Sequence, residues 1–414
     1  MKIDNYKLGD LLVKIVDNRG KTPPYSGEGD VELIETASLV GNNKFPDYNL
    51  VTKYVDQDTF NTWFRSGHPI KDDILIATVG VNIGNVVIMR ENRGCIAQNL
   101  VGFRPNIKIL SPHFLYYFLS WDRTQAYLKK LDIGSAQPSI KVPHLLHVKI
   151  PCPVMMIQRK IAAILSAYDD LIENNTRRIK ILEEMAQAIY NEWFVKFRFP
   201  GHEKVKIVDS ELGKIPEGWE VKKLEYITEL VKNKFRDNQH SNLPLLDLAR
   251  IPRRSLAING FGQSDEIKTS RITFKEGDIL FGAIRPYFHK VIVAPCDGVT
   301  NVSVFVLKNK DIVGKYFLFN LLFSDEVVAW ATQYAGGTKM PVISWEVFKT
   351  MKVIIPTKEI IMDFESTVCN IFYLIRTLNL KNLVLRTTRD LLLPKLISGE
   401  IDVEDLDIKV DNEQ

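Results

Sequence analysis

Apolar and polar residues alternate along "ILIATVG" (74–80) and "NVVIMRENRGCIAQNLVGFRP" (85–105), and again along "ILFGAIRP" (279–286) and "KVIVAPCDGVTNVSVFVL" (290–307), with turn residues between the runs. A period of two predicts strands bounded by turns. In "PHFLYYFLSWDRTQAYLKKL" (112–131) and "GKYFLFNLLFSDEVVAWATQYA" (314–335) the apolar residues recur at helical spacing instead, so short helices are expected there. After Pro151 and Pro153 the series Ile161, Leu165, Tyr168, Ile172, Asn175, Ile179, Leu182, Ala186, Ile189, Trp193 steps alternately by four and three. That is a heptad seam. A second seam follows Pro356, through Phe364, Val368, Ile371, Ile375, Leu378, Asn382 and Leu385, and stops near Pro394 and Ser398-Gly399. A rod of roughly 40 residues is about 60 Å long. Two rods in one chain are expected to pair with each other, antiparallel or nearly so, and to hold two heads apart. Asn175 and Asn382 fall inside the seams, where a polar residue either fixes register or marks a local opening of the coil.

The two halves follow one plan. "IKDDILIATVG" (70–80) corresponds to "FKEGDILFGAI" (274–284), "AQNLVGF" (97–103) to "VTNVSVF" (299–305), and "DIGSAQPSIKVPHLLHVKIP" (132–151) to "YAGGTKMPVISWEVFKTMKVIIP" (334–356). Order and approximate spacing are kept, which indicates an internal duplication. Each copy reads as a mixed head of about 150 residues, an ordinary domain size. The fold class expected is α+β, with heads at 1–152 and 201–355, helical spacers at 153–200 and 356–398, and a tail at 399–414.

Composition bounds the function. At 414 residues, 45% hydrophobic and 25% charged, the chain is globular and long enough for two or three domains. A net charge of +4 permits nucleic acid without demanding it. Cys95, Cys152, Cys296 and Cys369 form no Cys-x-x-Cys pair, which argues against a zinc site or a disulfide framework. No stretch of 18 apolar residues and no signal-type start is present, so a cytoplasmic chain is expected.

One short stretch raises catalytic chemistry. Thr22-Pro23-Pro24-Tyr25 nearly spells the Pro-Pro-Tyr active-site signature of enzymes that methylate adenine in DNA. Those enzymes place an acidic or amide residue before the prolines, whereas position 22 is Thr, and they need a glycine-rich turn for the methyl donor. The nearest glycine pattern, "ATVGVNIGN" (77–85), has the wrong spacing. Thr22 to Tyr25 therefore reads as a loop stiffened by two prolines and turned by Gly20. His144 and His147 lack the spacing of a metal-binding helix, and Glu173, Glu183 and Glu184 read as solvated or partner-facing charges of the first rod.

"IQRKIAAILSAYDDLIENNTRRIKILEEMAQAIYNEWFVKFRFPG" (157–201), "ELGKIPEGWEVKKL" (211–224) and "RDLLLPKLISGEI" (389–401) occur in this order. With the duplicated heads, the chain resembles the specificity subunit of Type I restriction-modification systems over nearly its whole length. The resemblance implies a noncatalytic DNA-reading subunit in which each head binds one half of a split target. The helices would set the gap and dock methyltransferase subunits, two of them expected, with motor-nuclease subunits joining the complex. S-adenosylmethionine, ATP and Mg would belong to those partners, and no cofactor or metal to this chain. The alternatives are a self-contained DNA adenine methyltransferase using the "TPPY" loop, and an oligomerisation scaffold with vestigial heads.

Major-groove readout needs Arg or Lys for guanine and Asn or Gln for adenine, while phosphates accept almost any donor. In the first head Arg19, Lys21, Asn82, Gln98, Gln137, Ser139 and Lys141 lie in predicted turns or strand ends. In the second, "AIRPYFHK" supplies Arg285, Tyr287, His289 and Lys290, and "GGTKM" supplies Lys339. "ARIPRRSLAINGFGQ" (249–263) adds Arg253 and Arg254, with Arg250, Asn259 and Gln263 beside them. Gly134 to Lys141 and Gly336 to Ser344 occupy equivalent places in the plan.

Overall fold

A computed structural model describes residues 3–39, 43–132, 137–235, 243–266 and 270–410. The chain divides into two compact units, Met1–Leu171 with Leu385–Gln414, and Ile172–Val384. Both division points fall inside the two long helices, Met155–Tyr190 and Lys358–Ser398.

In the first unit an antiparallel sheet runs in the order Leu12–Val16, Leu100–Pro105, Ile74–Ala77, Val86–Ile88. Ile74, Leu75, Ile76 and Ala77 are all buried, because this inner strand is covered on both faces and so carries a continuous apolar run. A smaller sheet is built from Tyr54–Val55, Val31–Ile34 and Cys95–Ile96, and the strand Asp4–Lys7 pairs with Lys149–Cys152. Phe103, Phe114, Leu8 and Leu11 are among the side chains that fill the core. The second unit repeats the arrangement. Its sheet order is Thr228–Leu230, Val304–Asn309, Ile279–Gly282, Val291–Val293, beside a second sheet of Gly262–Gln263, Pro244–Leu245, Gly298–Asn301 and Arg271–Phe274. Glu220–Lys223 pairs with Lys352–Ile355 as Asp4–Lys7 does with Lys149–Cys152.

The duplication extends to single hydrogen bonds. The N–H of Thr78 donates to Asn99 O at 2.8 Å, and the N–H of Ala283 to Ser303 O at 2.9 Å. Two residues on, Gly80 donates to Pro138 O at 2.9 Å and Arg285 to Pro341 O at 2.7 Å. Ile140 donates back to Thr78 O at 2.8 Å, and Ile343 to Ala283 O at 3.0 Å. Each helical stretch is two short helices. Pro112–Ser120 and Asp122–Lys130 meet at extended Trp121, and Lys315–Leu322 and Asp325–Gln333 are separated by Phe323 and Ser324, the side chain of Ser324 accepting from the N–H of Val327.

Within each unit the long helices run antiparallel. In the second unit Asn175 meets Asn382, while Phe194, further along the first helix and in the turn that follows it, meets Phe364, earlier on the second, with ring centroids 4.9 Å apart. In the first unit Asp169 pairs with Arg389, and Lys160 donates to the carbonyls of Val403 and Glu404. The seams predicted from the heptads are buried at Ile161, Leu165, Ile172, Ile179 and Ala186, and at Phe364, Val368, Ile375 and Leu378. The second helix passes through Pro394 and ends at Ser398, before Gly399 at φ +77°. Glu183 departs from the expectation of a solvated charge. It is buried, because the second head packs segment 255–258 against it.

Candidate nucleic-acid interface

The repeated hydrogen bonds gather the same loops in each head. In the first head, loop 78–84 bridges to Ser139 through Val79, and Gly80, at φ +96°, lies under Gln137. Arg19 joins them. Its guanidinium makes two hydrogen bonds of 2.8 Å to the Asp17 carboxylate, and Nη1 donates to the Thr78 hydroxyl at 3.4 Å. The hydrogen bond from Arg19 holds the Asp17 carboxyl below the usual carboxylate range, against the opposing effect of burial. Gln98 adopts φ +46° and donates to the hydroxyl of Thr22 at 2.6 Å. Arg19, Gln98, Gln137 and Ser139 are thus brought together, with Lys21 and Lys141 exposed beside their loops. Gly134 lies outside the described residues.

The Thr22–Tyr25 loop is built as a structural turn. Gly20 takes φ +101°, Pro23 is buried, and Thr22 is held by Gln98. The ammonium of Lys53 sits 4.7 Å from the centre of the Tyr25 ring. That face is occupied by a cation rather than open to stack on a base.

In the second head the counterpart of Gly80 is Arg285, at φ +49°. Its Nη2 donates to the Lys339 carbonyl at 3.4 Å, drawing the turn 285–290 to the segment around Lys339. Arg253 is exposed and its guanidinium lies 3.9 Å from the centre of the Phe288 ring, a stacking that presents the charge at a set height. Tyr287 is half exposed on the same turn, and Lys339 is exposed. Arg254, at φ +49°, pairs with Asp325 at 2.8 Å across an open surface, a pair of small energetic value that leaves its guanidinium accessible.

Three of the residues expected at this surface serve the interior instead. His289 is 2% exposed. Its Nε2 faces the Phe323 carbonyl at 2.8 Å, and burial lowers its pKa, so it is a neutral internal strut. Lys290 donates to the Leu248 carbonyl, and burial lowers its pKa as well. Asn82 is half buried and donates to the Thr36 carbonyl at 3.1 Å. The first-head counterpart of Lys290 is Asn85, whose amide donates to the Leu39 carbonyl at 2.8 Å. The position thus ties down the same neighbouring loop in both heads. Arg250 is likewise engaged, by Asp247 and Glu266.

Phe288 is the residue that sequence alone does not single out. An aromatic in a turn reads equally as core, and it is the position of Arg253 over its ring, with Arg285 farther off at 5.8 Å, that gives it a role. Among the described residues no group of three His, Cys, Asp or Glu side chains could hold a metal ion, and no helix is long and apolar enough to cross a membrane.

The family model for the Type I restriction modification DNA specificity domain matches the chain twice, over residues 2–184 and 216–382. The chain is 29% identical to the Type I restriction enzyme MjaIX specificity subunit of Methanocaldococcus jannaschii, covering 74% of this chain and 73% of that one. It is 22% identical to the HindI specificity subunit of Haemophilus influenzae, covering 80% and 87% respectively. In fold it is similar to the crystal structure of a Type I restriction-modification S subunit from M. genitalium, with a TM-score of 0.55 at 15% identity over 96% of each chain.

Proposed function

The chain belongs to the Type I restriction modification DNA specificity family, and from that membership we propose that its two heads each read one half of a split DNA target. The chain is the noncatalytic specificity subunit of such a system; the relatives it matches are named specificity subunits, not methyltransferases.

The observation that carries the reading is one backbone frame used twice with different side chains. Where the first head has Thr78, Gly80, Ser139 and Asn85, the second has Ala283, Arg285, Val342 and Lys290. A conserved frame with exchanged side chains suits two heads that meet different bases, since base readout depends on which donors and acceptors are presented in the groove. Arg19, Lys21, Gln98, Gln137, Ser139 and Lys141 form the contact set of the first head. Arg253, Arg254, Arg285, Tyr287 and Lys339 form that of the second.

The remaining parts follow the same reading. Residues 1–152 and 201–355 are the recognition domains, 153–200 and 356–398 the spacers that dock two methyltransferase subunits and set the unread gap, and 399–414 a tail. The partners act on adenine by drawing the base out of the stack, and they hold S-adenosylmethionine; motor-nuclease subunits bring ATP and Mg. The assembly works in the cytoplasm. Exchanging residues 201–355 for the second head of a relative with a different target tests the division of labour. One half of the methylated motif should change and the other stay; a motif changed in both halves or in neither overturns it.

A further inference from the structure

Segment 252–261, which carries Arg253 and Arg254, belongs to no strand or helix, yet Leu256 and Ile258 within it are buried. Buried backbone donors and acceptors need partners, and here no sheet supplies them. Two side chains do, one from each long helix. Glu183 Oε1 accepts the N–H of Leu256 at 2.5 Å and the hydroxyl of Ser255 at 3.1 Å. On the other side Asn379 Oδ1 accepts the N–H of Ile258 at 2.9 Å, and its Nδ2 donates to the Leu256 carbonyl at 2.8 Å. Glu183 is 6% exposed and Asn379 is 3% exposed, so neither makes these bonds as a surface group.

The clamp adjoins the charged residues of the interface. Arg254 directly precedes Ser255, and its N–H donates to the His289 carbonyl at 2.9 Å, while Arg253 stacks on Phe288 in the same turn. Packing alone would be served by apolar residues. A desolvated carboxylate and a buried amide, each matched to particular backbone atoms, add orientation at an energetic cost.

We propose that Glu183 and Asn379 are positioning residues for DNA readout by the second head, holding segment 255–258 to both long helices so that Arg253 and Arg254 are presented in one fixed register. This rests on the proposed function above.

The test uses the full chain assembled with its modification subunit, on duplexes carrying base changes in one half of the methylated target or the other. Glu183→Ala should bind the intact target roughly tenfold more weakly, as expected on losing the two hydrogen bonds it accepts, with discrimination reduced only in the half read by the second head. Glu183→Gln retains an acceptor oxygen and should restore discrimination. Ser255→Ala, which removes one donor without touching either helix, should give an intermediate loss and serves if Glu183→Ala does not fold. Unchanged discrimination in Glu183→Ala, or in Ser255→Ala where that variant must serve, overturns the proposal, as does an equal loss in both halves, the mark of a merely structural role. A parent complex that recognises no split target overturns instead the reading of function on which the proposal depends.

Discussion

Asn175 donates from Nδ2 to Oδ1 of Asn382 at 2.9 Å, joining the two long helices through a pair of seam amides. Asn382 in turn points its own Nδ2 at the hydroxyl of Thr176, 3.3 Å away. Both asparagines are buried, so the seam is closed here rather than opened to water. Matched amides favour the register in which they meet and penalise any slip that leaves one unpaired.

Replacing either asparagine alone by leucine should therefore destabilise the chain by about 1–3 kcal/mol, because the remaining amide stays buried without its partner. Replacing both should recover much of the loss. Chemical unfolding of the four proteins in a double-mutant cycle measures the coupling, and additive losses would deny that the pair acts as a unit.

A second buried pair lies in the first unit. Arg389 contacts Asp169 at 2.5 Å, with side chains only 16% and 10% exposed, and Tyr117 donates its hydroxyl to the other carboxylate oxygen. Arg389→Met should lower stability by about 3–5 kcal/mol, since it strands a buried carboxylate. Combining it with Asp169→Leu and Tyr117→Phe should return most of that loss. Thermal melting of the single and triple variants checks both outcomes.

Glu183 predicts a pH dependence. Burial raises its carboxyl from the ordinary 4.5 to about 7, outweighing the bonds from Leu256 and Ser255; Glu184 raises it further and Lys180 opposes, while Arg177 and Arg254 line the same recess. Between these two values the unfolded chain has released its proton and the folded chain still holds it, so stability falls as pH rises. The fall, about 3 kcal/mol in all, is complete above pH 7. Glu183→Gln should remove this part of the slope and leave the protein more stable than the parent at pH 8. Unfolding midpoints across pH 4–8 decide it, and parallel profiles for the two proteins would contradict it.

Removing charge from the interface should weaken DNA binding in a way that salt reveals. Arg253→Ala and Arg285→Ala should each reduce affinity of the assembled complex, lowering the slope of log affinity against log salt by about 1 where the lost contact is to phosphate. Where it is to a base, discrimination at one position should fall with little change in slope. Lys290→Gln should alter neither, because Lys290 is bound to the Leu248 carbonyl. Binding titrations at several salt concentrations distinguish these cases.

Much of the architecture is legible in the sequence because it rests on periodicity. Strands such as Ile74–Ala77 and Ile279–Gly282, and both long helices, lie where alternation and heptads place them. The interface is less legible. Residue type suggests His289, Lys290 and Asn82 as readers of DNA, but each satisfies a backbone carbonyl that the fold has buried. Glu183 looks like an ordinary helix charge until segment 255–258 folds onto it. Such roles depend on contacts between residues far apart in the chain, which no local pattern encodes.

The most direct measurement is a map of methylated adenines in a methylation-free host expressing the chain with its modification subunit. The expected result is a split motif methylated on both strands and absent when this chain is omitted. Methylation by this chain without a partner, or none from a confirmed stable complex, would contradict its role as the subunit that chooses the target.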